Sequence, residues 1–346
     1  MITNREKKLH DIFLNAHQTG IFNGVVGAYQ YGDPIYQAAL GLSDIEKKQP
    51  LTLSSRFDLA SITKQFTTSA VMLLKEKGKL NVDDNIEMYF PGIPYPGVSI
   101  KMLMNHTGGL PDEDWCVQYL EDTSKSINND TLLNLVMTKP PQPLFAPGEG
   151  WTYCNLTYEL LAMIIEQVSG MGFEEFLRDE IFIPADMRET SVYHRYSNLA
   201  PLENATNSYD WENDRWLLPE HSSVAAGTIP LEGVNGAGLV YSTIGDMCKW
   251  DKSLREGRVL SHSLQAEMRE SVDCGDGRRY GYGWFVEREG RAVRHSGGWP
   301  GYINHYYRDL QSGAMLIMMT NMMRQDKTAL LAMLDEAIAA LTDGSD

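Results

Sequence analysis

The spacing of hydrophobic positions along the 346-residue chain changes twice, from a strand-like period to a helical one and back. Asn23 to Tyr31 and Pro34 to Leu40 read as two strands joined at Gly32-Asp33 by a hairpin-like turn. From Ser61 to Lys77 the pattern is helical: Ile62, Phe66, Ala70 and Leu73 share one face, and Gly78 suits the stop. Residues 85 to 235 are rich in Pro, Gly and short helical patterns, such as Leu132 to Thr138 and Tyr158 to Val168. Strands return at Tyr280 to Arg288, Arg291 to His295, Tyr302 to Arg308 and Ala314 to Thr320, before a last amphipathic helix, Lys327 to Leu341. Strands at both ends with helices between predict an α+β fold, with one sheet built from both termini and flanked by helices. On this reading residues 1–84 and 236–346 form the sheet domain, and 85–235 form an inserted, mostly helical domain with the active site in the cleft between them.

Composition narrows the class. Hydrophobic residues make up 43% and charged residues 22%, ordinary for a globular enzyme. Thirty basic against 46 acidic residues leave a net charge of −16, which disfavours nucleic acid or an anionic membrane as partner. The polar start, Thr3 to Lys8, leads into an amphipathic segment with no signal-like apolar stretch, and no run is long enough to span a bilayer, so a cytoplasmic chain is expected. Cys116, Cys154, Cys248 and Cys274 are widely spaced without a CxxC pair and read as free thiols. No H-E-x-x-H pattern occurs among the histidines and no G-x-S-x-G elbow is present, so neither a metal site nor an α/β-hydrolase is expected, and no cofactor is called for.

Three short elements carry candidate chemistry. Ser61-Ile62-Thr63-Lys64 is an S-x-x-K at a helix start, where a three-residue spacing lets hydroxyl and amine meet. A cation in a first helical turn opposes the helix dipole; with desolvation, this would favour the free amine as a proton acceptor. Tyr153-Cys154-Asn155 offers a phenol and a carboxamide two residues apart, with Cys154 read as a buried small hydrophobe. His295-Ser296-Gly297-Gly298 ends a predicted strand, and its glycines allow a ligand to approach the backbone. His106-Thr107-Gly108-Gly109 mimics that element, but it follows a short helical pattern and leads to Pro111, so it reads as a structured loop.

With Y-x-N and H-S-G as second and third elements, the chain resembles the superfamily of class C β-lactamases, DD-peptidases and esterases over about residues 20 to 340. Asn105 to Pro111 and Gly236 to Thr243 resemble two further segments of that family. The resemblance implies a β-lactamase/transpeptidase-like fold with an antiparallel sheet. It also implies acyl transfer on a small molecule or short peptide bearing an ester or amide carbonyl. Ser61 would be the nucleophile, Lys64 and Tyr153 would share the base role, and the Ser61 and Gly298 backbone N–H groups would form the oxyanion hole. Asn155, His295, Ser296 and Gly297 would contact substrate. His295 stands where β-lactam-binding relatives carry a lysine, and a histidine is mostly neutral near pH 7. That departure favours an esterase or a D-amino-acid-type peptidase over a β-lactamase or a DD-carboxypeptidase; a silent sensor on the same fold is the rival of another class.

Overall fold

The computed structural model describes residues 3–343 apart from 198, 199, 224, 226 and 325; the extreme ends of the expected sheet domain lie outside the described residues. Five helices and one sheet position the site: α1 (Asn4–Gln18), α2 (Lys64–Glu76), α3 (Leu156–Ser169), α4 (Ile244–Glu256) and α5 (Thr328–Thr342). The sheet strands are β1 (Gly24–Gln30), β2 (Asp33–Leu40), β3 (Val272–Asp273), β4 (Arg279–Tyr280), β5 (Phe285–Glu287), β6 (Ala292–Trp299), β7 (Tyr302–Asp309) and β8 (Ala314–Thr320). They run in the order β3-β4-β5-β6-β7-β8-β1-β2, every neighbouring pair antiparallel, so that β8 joins the C-terminal strands to the N-terminal hairpin. The fold is that expected of both chain ends.

Both faces of this sheet are covered, which explains why β1 and β8 read as nearly continuous apolar runs. Val26, Ala28, Leu316 and Met318 face α1 and α5 through Leu9, Phe13, Leu334 and Leu341. Val25, Met315, Ile317 and Met319 belong to the larger core with α2, α3 and α4. Each fully buried side chain of this kind contributes roughly 1.5–3 kcal/mol. No helix among the described residues is long and apolar enough to cross a membrane.

Several expected boundaries move. The hairpin turn is Tyr31-Gly32, both with positive φ (52° and 91°), rather than Gly32-Asp33; this is the twist that a two-residue hairpin demands. The run Tyr280 to Arg288 breaks in two because Gly281 and Gly283 turn, with Gly283 (φ 78°) against the Lys64 carbonyl and the Thr68 hydroxyl. The strand expected to stop at His295 continues to Trp299. In the middle region Ser191–Val192 and Tyr209–Leu217 hold strands, and these pair with Val240–Ser242 and Met322–Met323 from outside it.

A buried ion pair ties sheet to helix. Arg308 Nε of β7 donates to Asp251 Oδ1 of α4 at 2.6 Å, and Arg255 Nε donates to Asp251 Oδ2 at 2.8 Å. Removing the carboxylate strands a buried guanidinium. Asp251→Ala is expected to lower unfolding stability by about 3–5 kcal/mol in urea titrations; a loss below about 1 kcal/mol would place the pair among dispensable ones.

Candidate active site

The turn carrying Ser61 is clamped before it reaches the helix. Phe57–Asp58 pairs with Tyr241 and Ser242, and the Leu59 N–H donates to the Val240 carbonyl at 2.8 Å. On the other side Asn304 Nδ2 donates to the Asp58 carbonyl at 2.7 Å. Gly297 packs so closely that a Cβ there would lie 2.0 Å from the Leu59 oxygen, which explains a glycine in the middle of β6. Ala60 takes a positive φ of 48°, and its N–H is held by Asp58 Oδ1 at 2.8 Å. A 3-10 turn, Ala60–Thr63, then hands over to α2 at Lys64, where one continuous α-helix from Ser61 was expected.

Lys64 is fully buried, and its ammonium nitrogen has three partners. Nζ lies 3.0 Å from Ser61 Oγ, 2.6 Å from Asn155 Oδ1 and 3.3 Å from the Ala237 carbonyl. The rings of Tyr153 and Tyr158 lie 4.8 and 5.3 Å from it, an aromatic cage for the charge. Either protonation state satisfies this set: the ammonium donates three bonds, whereas the free amine donates to the two carbonyls and accepts the Ser61 proton. Asn155 opens α3 without capping it, because its Oδ1 is spent on Lys64 and its Nδ2 donates to Glu113 Oε1 at 3.1 Å. The Tyr153 hydroxyl is buried without a hydrogen-bond partner among the described residues, and its ring packs on His106 at 4.5 Å. His106, the look-alike of the third element, is a buried scaffold residue: its Nδ1 faces the Cys154 N–H and the Thr157 hydroxyl.

The third element meets the cleft through its glycine edge. The Leu310 N–H donates to the Arg291 carbonyl, so odd-numbered residues of β6 bond to β7 and even-numbered ones face the opposite edge. β5 pairs only as far as Arg294, which leaves the backbone N–H groups of Ser296 and Gly298 on an open edge. Gly298 and Ser61 line one cavity, with room of about 80 Å³. His295 does not. It is 2% exposed; its Nδ1–H donates to the Ser296 carbonyl at 2.6 Å, so Nε2 accepts from the Tyr280 hydroxyl at 3.0 Å. Burial, with Lys64 nearby, drives its pKa down to about 3. His295, where a substrate contact was expected, is thus an enclosed ring held by Tyr280 and the Ser296 carbonyl and absent from the cavity lining.

Sequence reasoning missed the acidic lining. Asp58, Glu113 and Glu159 border the same cavity, and among its described lining residues there is no lysine, arginine or histidine. Glu159 stands one helical turn beyond Asn155, and Asp58 three residues before Ser61, so their placement followed from the motifs; their burial did not. Burial, with Glu159 beside Glu113 and Asp112 beside Glu159, pushes both glutamate carboxyls well above the usual range. Burial, with Glu232 nearby, raises Asp58 to about 8, and burial raises Glu232 to about 7.

The model of the family described as β-lactamase matches residues 5–340. A penicillin-binding protein of Bacillus subtilis (strain 168) is 35% identical over 329 residues, 93% of this chain and 73% of that one. A D-aminopeptidase of Brucella anthropi is 26% identical over 81% of this chain, which spans only 52% of that relative's length. The structure of D-amino acid amidase from Ochrobactrum anthropi SV3, complexed with L-phenylalanine amide, superposes with a TM-score of 0.81 at 25% identity, covering 99% of both chains.

The buried carboxyls fix a pH dependence. From pH 7.5 upward the histidines are almost wholly neutral folded or unfolded, whereas Asp58, raised to about 8, and Glu232, raised to about 7, still bind protons that the unfolded chain has lost. Their raised pKa values contribute stability present at low pH and lost as pH rises through the folded values. Each titrating carboxyl adds a slope of up to about 1.4 kcal/mol per pH unit. Urea midpoints should fall as pH rises from 7.5 to 8.5; a flat or rising midpoint would contradict the buried acidic lining.

Proposed function

The chain belongs to the β-lactamase family, and from that premise we propose that it is a serine hydrolase working through an acyl-enzyme at Ser61, on amides or esters of amino-bearing acyl groups. The observation that carries this reading is the 3.0 Å contact between Lys64 Nζ and Ser61 Oγ inside a buried, aromatic cage. Lys64 as free amine takes the Ser61 proton while Oγ attacks the carbonyl carbon, and the Ser61 and Gly298 N–H groups receive the developing oxyanion. A first-turn N–H at Ser61 and an open-edge N–H at Gly298 support that pairing. Tyr153, whose hydroxyl has no partner among the described residues, delivers a proton to the leaving group and is reprotonated from Lys64 beside it, which restores the free amine. Water then attacks the ester carbonyl and releases the acid, with the proton returning to Ser61. Asn155 holds the amine in register.

The lining chooses among substrates. A β-lactam or D-Ala peptide presents a carboxylate, yet the cavity offers carboxyls and no fixed cation, while His295 stays neutral behind the strand. Glu113 Oε2 and Glu159 Oε2 are buried without partners beside Asn155, the arrangement that an incoming ammonium would complete. An amino-acyl amide or ester fits; the D-configuration rests on likeness to the D-aminopeptidase and the D-amino acid amidase.

Ser61→Ala should abolish hydrolysis of D-aminoacyl p-nitroanilides and p-nitrophenyl esters with an unchanged circular-dichroism spectrum. Lys64→Ala should slow acylation by about 10³-fold or more in stopped-flow traces, as expected of a general base with no substitute at hand. Full activity in either variant would remove that residue from the mechanism. Glu113→Gln should raise KM for the aminoacyl anilide while sparing simple acyl esters; an equal effect on both would contradict ammonium recognition.

A further inference from the structure

We propose that Trp299, held by Glu232, is the end stop of the acyl pocket and limits this enzyme to compact apolar acyl side chains; this deepens, and rests on, the serine-hydrolase reading above. Trp299 follows Gly298 on β6 and lines the cavity with Ser61, Leu231, Val234 and Leu239. Leu231, Val234, Leu239 and Trp299 supply the apolar part of the lining, and Asp58, Glu113, Glu159 and Asn155 the polar part. A substrate whose ammonium sits at the carboxyls leaves the apolar part, Trp299 included, for its side chain.

The indole is not free to swing. Trp299 Nε1 donates to Glu232 Oε1 at 2.5 Å, a hydrogen bond to a carboxyl that is itself 5% exposed. Glu232 sits on a rigid wall rather than a loose loop. The Ile127 N–H donates to the Pro230 carbonyl at 2.8 Å, and a Cβ on Gly233 would meet the Ile127 oxygen at 2.3 Å. Further along, the Asn235 N–H donates to Asn129 Oδ1 at 2.8 Å, and Gly236 abuts the Tyr158 carbonyl, where a Cβ would lie 2.2 Å away. Fixed on both sides, the wall gives the Trp299–Glu232 bond something to pull against. Trp299 then acts as the specificity-determining surface, and Glu232 acts through it as a positioning residue. Tyr302, three residues on, takes no part: its hydroxyl donates to the Thr206 carbonyl inside the core.

The test is a chain-length series of p-nitrophenyl esters, acetate to octanoate, read as the octanoate-to-acetate ratio of kcat/KM. The ratio should rise by about tenfold or more in Trp299→Ala, since pocket discrimination against added methylenes is of that order. It should rise less in Trp299→Phe and Glu232→Ala, and Glu232→Gln, which keeps an acceptor for the indole, should restore it to within about threefold of wild type. A protein-wide structural effect would lower both esters together and leave the ratio alone. An unchanged ratio in a natively folded Trp299→Ala, or in Trp299→Phe and Glu232→Ala should the alanine variant misfold, overturns the end stop. If wild type shows no Ser61-dependent hydrolysis of any ester or anilide, the hydrolase reading fails and the end stop falls with it.

Discussion

A fully buried lysine whose nitrogen bonds a serine hydroxyl and two carbonyl oxygens is the constraint around which this molecule is organised. Burying an ammonium costs several kcal/mol unless each of its donors is satisfied, and no carboxylate bonds to Lys64. Its partners come from three stretches far apart in sequence: Ser61 from the nucleophile turn, Asn155 from the start of α3, and Ala237 from the segment leading to α4. Losing any one of them leaves a donor unpaired in the interior. The fold must therefore bring the middle region onto the sheet core to satisfy a single side chain, and the same demand assembles the cleft.

The sheet does the complementary work from the other side. Its C-terminal strands deliver Gly297 under the Leu59 carbonyl, a placement that a side chain would block, and Gly298 to an open edge. Asp58 then links the two halves through its carboxyl and its carbonyl, one holding the positive-φ Ala60 and the other accepting from Asn304 of β7. Ser61 thus sits on a backbone pinned before and after it, which is how a short hydroxyl is kept at hydrogen-bond distance from a buried amine. The cavity wall beside it is acidic, and burial raises the pKa of its Glu113 and Glu159 carboxyls well above the usual range.

Much of this was legible before any coordinates. The strand-sized apolar run Ala314 to Thr320 and the three-to-four spacing after Ser61 are local signals; the strand lies where expected, and the helix is in place from Lys64. The S-x-x-K and Y-x-N spacings are likewise local, and their side chains meet at Lys64. What failed depended on partners remote in sequence. Whether a glycine pair ends a strand or continues it was decided by Leu59, more than two hundred residues away, so β6 ran past the expected stop at His295. His295 itself was misjudged because a motif position says nothing of depth; Tyr280 and the Ser296 carbonyl enclose it. The burial of Glu113, Glu159 and Asp58 carried no signal, since an acidic residue in a loop or on a helix reads as solvent-facing until packing removes the solvent.

The central claim is that the buried amine makes Ser61 a covalent way-station. Acid-quenching the enzyme during turnover of a slow D-aminoacyl ester, followed by peptide mapping in a mass spectrometer, observes that state directly. The account predicts one acyl group per chain, carried by the peptide containing Ser61 and gone once substrate is exhausted. An acyl group lodged on another residue, or turnover with no adduct trapped at any quench time although hydrolysis of the ester is shown to be rate-limiting, would contradict it.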